Sequence, residues 1–295
     1  MKLESKVFVP SHITGFFEIK DNTNLNIKGS CGAGITLDKG IITHTKLTNG
    51  NGKIKITVNN KNTGYDISIT KETIKIIKKE CHVSLDDYNI TINHDLDLPI
   101  GAGLGTSAGF ALGTSLTLPK LLGCNLTLKQ SGDIAHFAEL SKSSGLGDVI
   151  SELYGGCVLR LKSGSPSYGV IDKIPLDKKL YVFIKSFDSL ETSKIITDPI
   201  YKQKINASAN KLLDLLQKNP TLENFMGLSN KFANDTNLIQ DDIKETIDLL
   251  TNNQYMASMA MLGNTVFTLS ESPEVDLEDV IVTKINNSGV KYILN

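Results

Sequence analysis

Gly101, Gly103 and Gly105 alternate along the segment Pro99-Ile100-Gly101-Ala102-Gly103-Leu104-Gly105-Thr106-Ser107-Ala108-Gly109, which follows a strand-like run and opens a helical one. Glycine permits backbone conformations closed to other residues and lets an anion approach with no side chain in the way. The free N–H groups of the first helical turn then face that anion, and the helix dipole adds to the attraction. Thr106 and Ser107 bring hydroxyls that can cap the helix or reach a metal ion. The segment lacks the Gly-Lys-Ser/Thr ending of a Walker loop, and its last glycine spacing is one residue short of a Rossmann fingerprint. Two readings stand: a phosphate-binding turn, or a tight strand-to-helix connection with a capped helix.

The other side chains able to do chemistry are scattered. His44, His82 and His94 read as surface or strand-end residues, and His136, beside Ala135 and Ala138 in a helical run, reads as a core histidine. His12 has unusual neighbours, Val9-Pro10-Ser11-His12-Ile13-Thr14-Gly15-Phe16-Phe17. Cys31, Cys81, Cys124 and Cys157 lie far apart in sequence, with no C-x-x-C pair and no histidine spaced to complete a zinc site. They read as buried or free thiols in a reducing compartment.

Lys and Arg number 31 against 32 Asp and Glu, for a net charge of −1, and no basic block stands out. That balance argues against nucleic-acid and membrane-surface partners. Arg160 is the sole arginine, so a phosphate site in this chain must rely on backbone N–H groups and lysines rather than on guanidinium forks. The first apolar stretch is broken by Pro10, Ser11 and His12, which is neither a signal peptide nor a transmembrane helix and points to a cytoplasmic protein.

The elements that must position these residues fall into two halves. The first hundred residues are strand-like, with β-branched runs at 54–58 and 88–92 and Asn/Gly turns between them. One helix interrupts them, with Thr70 as its cap and Ile74, Ile77 and Cys81 on one face. Helices follow at 108–122, 128–140 and 148–154, then a strand at 157–161. The turn Ser163-Gly164-Ser165-Pro166-Ser167 marks the expected boundary between domains 1–164 and 165–295. Beyond it the pattern predicts a strand at 181–187, helices at 199–217, 221–233 and 240–252, and strands near 279–285 and 290–294. Separate runs of helices and strands argue an α+β class.

Pro99 to Ser107 resembles the P-x-G-x-G-L-(G/S)-(S/T)-S phosphate loop of the GHMP kinase superfamily. Ser144-Gly145-Leu146-Gly147-Asp148 followed by Tyr154-Gly155-Gly156 is similar to its second element, and Met261-Leu262-Gly263-Asn264-Thr265-Val266-Phe267 stands in place of its C-terminal one. Within that superfamily, Pro10-Ser11-His12-Ile13-Thr14-Gly15-Phe16-Phe17 and Gly29-Ser30-Cys31-Gly32-Ala33-Gly34-Ile35 resemble the archaeal pantoate kinase family. The resemblance implies a two-domain GHMP kinase fold: an N-terminal α/β domain carrying the loop, a ferredoxin-like C-terminal domain and an active site between them. It implies ATP-dependent phosphorylation of the primary hydroxyl of pantoate to 4-phosphopantoate in coenzyme A biosynthesis, with mevalonate-type or homoserine-type kinases, or a non-catalytic regulator, as alternatives.

By the same resemblance Pro99, Gly101, Ala102, Gly103, Leu104, Gly105, Thr106 and Ser107 bind ATP, and Ser107 and Glu139 hold Mg²⁺, with Glu139 read equally as a solvated helix-face carboxylate. Asp148 is the base for the acceptor hydroxyl, or else the N-cap of the helix it begins. His12, Thr14 and the backbone around Gly32 and Gly34 would offer donors to the substrate carboxylate, while Ile13, Phe16 and Phe17 offer apolar surface. The glycine pair can equally be an anion-binding turn or a hairpin. A homodimer is the family expectation.

Overall fold

The computed structural model describes residues 2–62, 64–187 and 192–294, of which 192–194 by backbone alone. Two long β-branched runs open the chain, β1 (Lys2–Lys20) and β2 (Gly29–Asn49), paired antiparallel along their whole length. Then come β3 (Ile54–Val58), α1 (Ser68–Glu80), β4 (Tyr88–Leu96), α2 (Thr106–Leu121), α3 (Leu128–Lys142), α4 (Asp148–Tyr154), β5 (Cys157–Lys162) and β6 (Val170–Ile174). The second half holds β7 (Tyr181–Ser186), α5 (Thr192–Thr197), α6 (Pro199–Ala209), α7 (Leu212–Lys218), α8 (Leu222–Thr236) and α9 (Asp241–Asn252). It closes with β8 (Ala257–Met259), β9 (Thr265–Ser270), β10 (Ile281–Lys284) and β11 (Lys291–Tyr292).

The large sheet runs β11-β1-β2-β4-β3, with β5 on the far part of β2 and β6 beyond it; the small antiparallel sheet runs β10-β7-β9-β8. The turn at 163–167 therefore joins two paired strands of one sheet, and β11 returns to that sheet from the end of the chain. The expected boundary at residue 164 is not a boundary between sheets.

α2 is apolar nearly all round and is buried nearly throughout, as such a helix must be. It lies across β1 and β2 with α1 and α3 beside it. α3 starts where Thr127 and Gln130 form a reciprocal capping box. On the second half's side, α6 and α8 pack on β1, and their apolar faces merge with the small sheet into one core that includes Ile13, Phe16, Phe225 and Phe267.

Several expectations need correction. The helix expected across 199–217 is two helices, broken where Lys211 takes a left-handed φ of 64°. The strands β8 and β9, fully buried or nearly so, show no alternation and were not predicted. Thr70 does not cap α1; it lies inside the helix and its hydroxyl meets His94 Nε2 at 3.0 Å. His94 is not at the surface but fully buried, with Nδ1 2.8 Å from Thr43 Oγ1 and its ring stacked on Phe110. Cys81 and Cys124, expected to be free, are joined as a disulfide, while Cys31 and Cys157 are buried thiols. Among the described residues no helix is long and apolar enough to cross a membrane.

Candidate active site

A cleft of about 350 Å³ lies where the loop before α2, the start of α4, β1 and β5 converge. One wall is the glycine turn: Gly101, Gly103, Leu104, Gly105, Thr106 and Ser107 line the cleft, whereas Pro99 and Ala102 do not. Gly103 and Gly105 have φ of 73° and 71°, the left-handed region that favours glycine. Gly105 takes the N-cap position of α2 and no side chain caps that helix, so its first N–H groups are left for a ligand. Two bonds anchor this wall. The His12 amide donates to Leu104 O at 3.2 Å, and the Met261 amide donates to Thr14 O at 2.9 Å, seating Gly263 against Gly103 with no room for a Cβ on either.

The opposite wall carries Thr14, Phe17, Ser30, Asp148 and Arg160. Register shifts in β1 between Pro10 and His12 and between Thr14 and Phe16 re-aim His12 and Thr14 relative to the rest of the strand. Asp148 is the first residue of α4, but its side chain caps nothing. Its Oδ1 lies 2.6 Å from His12 Nδ1 and 3.4 Å from Thr14 Oγ1, and it is 26% exposed, into the cleft. Burial pushes this carboxyl up, but His12, by its bond and its charge interaction, then the Arg160 charge and the Thr14 bond together outweigh it and hold Asp148 below its ordinary value.

Glu139, almost fully buried on α3, accepts the Ser107 hydroxyl at 2.5 Å and the Ser144 hydroxyl at 2.7 Å on the same oxygen. Burial pushes it up to about 7 against those two bonds. No group of three or more His, Cys, Asp or Glu side chains suited to a metal occurs among the described residues. Ser107 and Glu139 nevertheless offer two hard oxygen donors beside the glycine turn, a donor set that fits Mg²⁺ completed by further oxygen ligands and water.

His12, Gly32 and Gly34, expected at the substrate, do not line the cleft. His12 is wholly buried, and the two glycines lie within β2, paired with β1 and β5. Phe17 reaches the cleft, while Ile13 and Phe16 belong to the core.

Residues 68–156 match the family described as GHMP kinases N terminal domain. The chain is 40% identical to the pantoate kinase of Methanocaldococcus jannaschii over 93% of its own length and 95% of that protein's, and 31% identical to that of Thermococcus kodakarensis over 95% and 92%. The chain belongs to the pantoate kinase family of GHMP kinases. A solved structure described as a phosphotransferase related to the CoA biosynthesis pathway superposes with a TM-score of 0.87 at 28% identity, covering 98% of both chains.

In this pantoate kinase family member the cleft also holds residues to which the sequence motifs assign no role. Arg160 projects from β5 opposite Gly32, is 1% exposed, and bonds Ser151 Oγ through Nη1 at 3.2 Å, leaving Nε with no partner. The signal was present: the chain's one arginine interrupts the apolar strand Cys157-Val158-Leu159-Arg160-Leu161. Ser30 sits beside it at the start of β2, inside the glycine stretch. Asp66, Ser68 and Ile69, just before and within α1, also line the cleft, and nothing in their types or spacing marked them.

Proposed function

We propose that the chain transfers the γ-phosphoryl group of ATP to the primary hydroxyl of pantoate, giving 4-phosphopantoate and ADP. The observation that carries this reading is a single cleft with an anion-binding glycine turn on one wall and an ionised, partly exposed carboxylate beside a buried arginine on the other. ATP phosphates lie along the Gly101–Ser107 backbone, where the uncapped amides of α2 receive them. The acceptor alcohol meets Asp148. As its oxygen bonds to the γ-phosphorus, its proton passes to the Asp148 carboxylate and the bond to the ADP oxygen breaks.

Arg160 is the cation for the substrate carboxylate. Its guanidinium is buried with an unpartnered Nε, and a buried unpaired charge calls for an anion. Phe17 supplies apolar wall for the gem-dimethyl carbon. Ser107 and Glu139 would hold Mg²⁺, which when bound neutralises phosphate charge. Purified protein with ATP, Mg²⁺ and D-pantoate is expected to release ADP. Turnover with mevalonate or homoserine but none with pantoate would overturn the substrate, and ATP binding with no turnover on any acceptor would overturn the enzyme reading.

A further inference from the structure

His12 was expected to donate to substrate, yet its side chain is 0% exposed and absent from the cleft surface. Its amide bonds Leu104 O of the phosphate turn, and its Nδ1 bonds Asp148 Oδ1 at 2.6 Å. One residue of β1 is thus tied at once to the wall that holds phosphate and to the base on the other wall. Nε2 has no partner, and it lies against Gly34, where a Cβ would come within 2.3 Å of it.

The proton's place follows from this geometry. Burial lowers the pKa of the imidazole against the pull of Asp148, and no acceptor stands at Nε2 to hold a second proton. A neutral ring has one N–H, and a carboxylate only accepts, so Nδ1 carries the hydrogen and Nε2 the lone pair. An imidazolium would need a second acceptor at Nε2, and the glycine floor offers none.

We propose that His12 is a positioning residue for the transfer: its Nδ1–H fixes Asp148 by Oδ1, so that Oδ2 is the oxygen presented to the acceptor hydroxyl. The proposal rests on Asp148 being the base. The other charged or polar groups facing Asp148 are Thr14 from the same strand, Arg160 from β5, Glu139 from α3 and Glu152 from α4. Gly34 has a stated part, keeping a side chain out of the space that Nε2 occupies.

The test is a set of full-length variants assayed with ATP, Mg²⁺ and D-pantoate. His12→Ala is expected to lower kcat about tenfold to a hundredfold, the scale of losing an orienting partner, with KM for ATP near wild type. His12→Asn can place an amide N–H where Nδ1 stands and should restore most of kcat; His12→Gln places it where Nε2 stands and should not. In an Asp148→Asn background, His12→Ala should cost nothing further, because it acts only through that carboxylate. Rescue by Gln rather than Asn, or an undiminished loss in the Asp148→Asn background, would overturn the proposal. If Asp148→Asn itself keeps near-normal kcat, the base assignment fails; if it lowers kcat about a hundredfold or more while His12→Ala leaves kcat at the wild-type value, only the positioning role fails. Should His12→Ala not fold, ¹⁵N-histidine spectra of the wild type decide: the resonance lost in His12→Asn must be a neutral Nδ1–H tautomer, and an Nε2–H tautomer or an imidazolium overturns the assignment.

Discussion

Two buried histidines in one sheet are treated in opposite ways. His94 has both ring nitrogens bonded, to Thr43 and Thr70, and a stacked Phe110, and no charged group is among its partners. His12 has one nitrogen bonded, to a carboxylate, and the other left with nothing. The same contrast extends outward. Around His12 lie Glu152 with both oxygens unpartnered and Arg160 with an unpartnered Nε, so orphaned buried atoms gather beneath the cleft. Buried polar groups are ordinarily satisfied, and a cluster of exceptions marks where the fold holds groups ready for something that binds or reacts. A fully bonded network such as that of His94 fixes packing instead.

Changes on the cleft side should break catalysis and leave the fold. Asp148→Asn has the largest expected effect, a fall in kcat of about a hundredfold to ten-thousandfold with Tm little altered, because it removes the proton acceptor. Steady-state ADP release against a thermal melt checks it; a large loss of Tm would make Asp148 structural. Arg160→Met comes next. It should raise KM for pantoate about tenfold to a hundredfold, the worth of a charge-assisted contact, and leave KM for ATP unchanged. Equal rises in both constants would remove Arg160 from the substrate carboxylate.

Local features were legible in the sequence and distant pairings were not. The glycine turn, α2, α3 and the short α4 depend on neighbours within a few residues, so helices at 108–122, 128–140 and 148–154 could be read close to their observed bounds, although the Thr127–Gln130 capping box was not. The His12–Asp148 bond joins residues 136 apart and the Cys81–Cys124 disulfide residues 43 apart, and no local pattern encodes either. His94 was misplaced for a related reason. It alternates correctly inward along β4, but a histidine's burial depends on finding Thr43 and Thr70 from other elements. Arg160 was visible as an anomaly, a charge in an apolar strand, without a partner to explain it.

On the structural side of the comparison, His94→Ala should cost about 2–4 kcal/mol by leaving a cavity and two unpartnered hydroxyls, while kcat and KM stay near wild type. The wild-type ring also carries a pH signature. Burial holds His94 down to about 3, so between about 3 and 6.5 the unfolded chain binds a proton that the folded one does not. Stability is full above 6.5 and falls as pH falls through that window, by up to about 1.4 kcal/mol per unit. Denaturant midpoints from pH 7 to 4 should show a smaller acid loss in His94→Ala than in wild type, and equal losses would place the proton elsewhere.

Glu152 should show the opposite slope and the smallest effect. Burial first, then the charges of Asp148 and Glu139, raise it well above 4.5, so the folded chain keeps a proton that the unfolded chain releases. Stability therefore falls as pH rises from 4.5 toward the folded value. Its Oε1 packs on Gly105, where a Cβ would come within 2.2 Å. A neutral acid there would not repel phosphates bound at the turn, whereas an ionised one would oppose them. Glu152→Gln keeps neutrality and shape, so kcat should hold within about twofold, as for a substitution that leaves charge and packing in place. Relative to wild type, the variant should gain stability progressively as pH rises from about 4.5 to about 7.5, because the amide takes no part in the titration, while its own unpartnered groups lower the difference equally at every pH. A stability difference flat across that range would mean that Glu152 is ionised in the folded protein, and that the orphaned oxygens beneath the turn carry charge rather than avoid it.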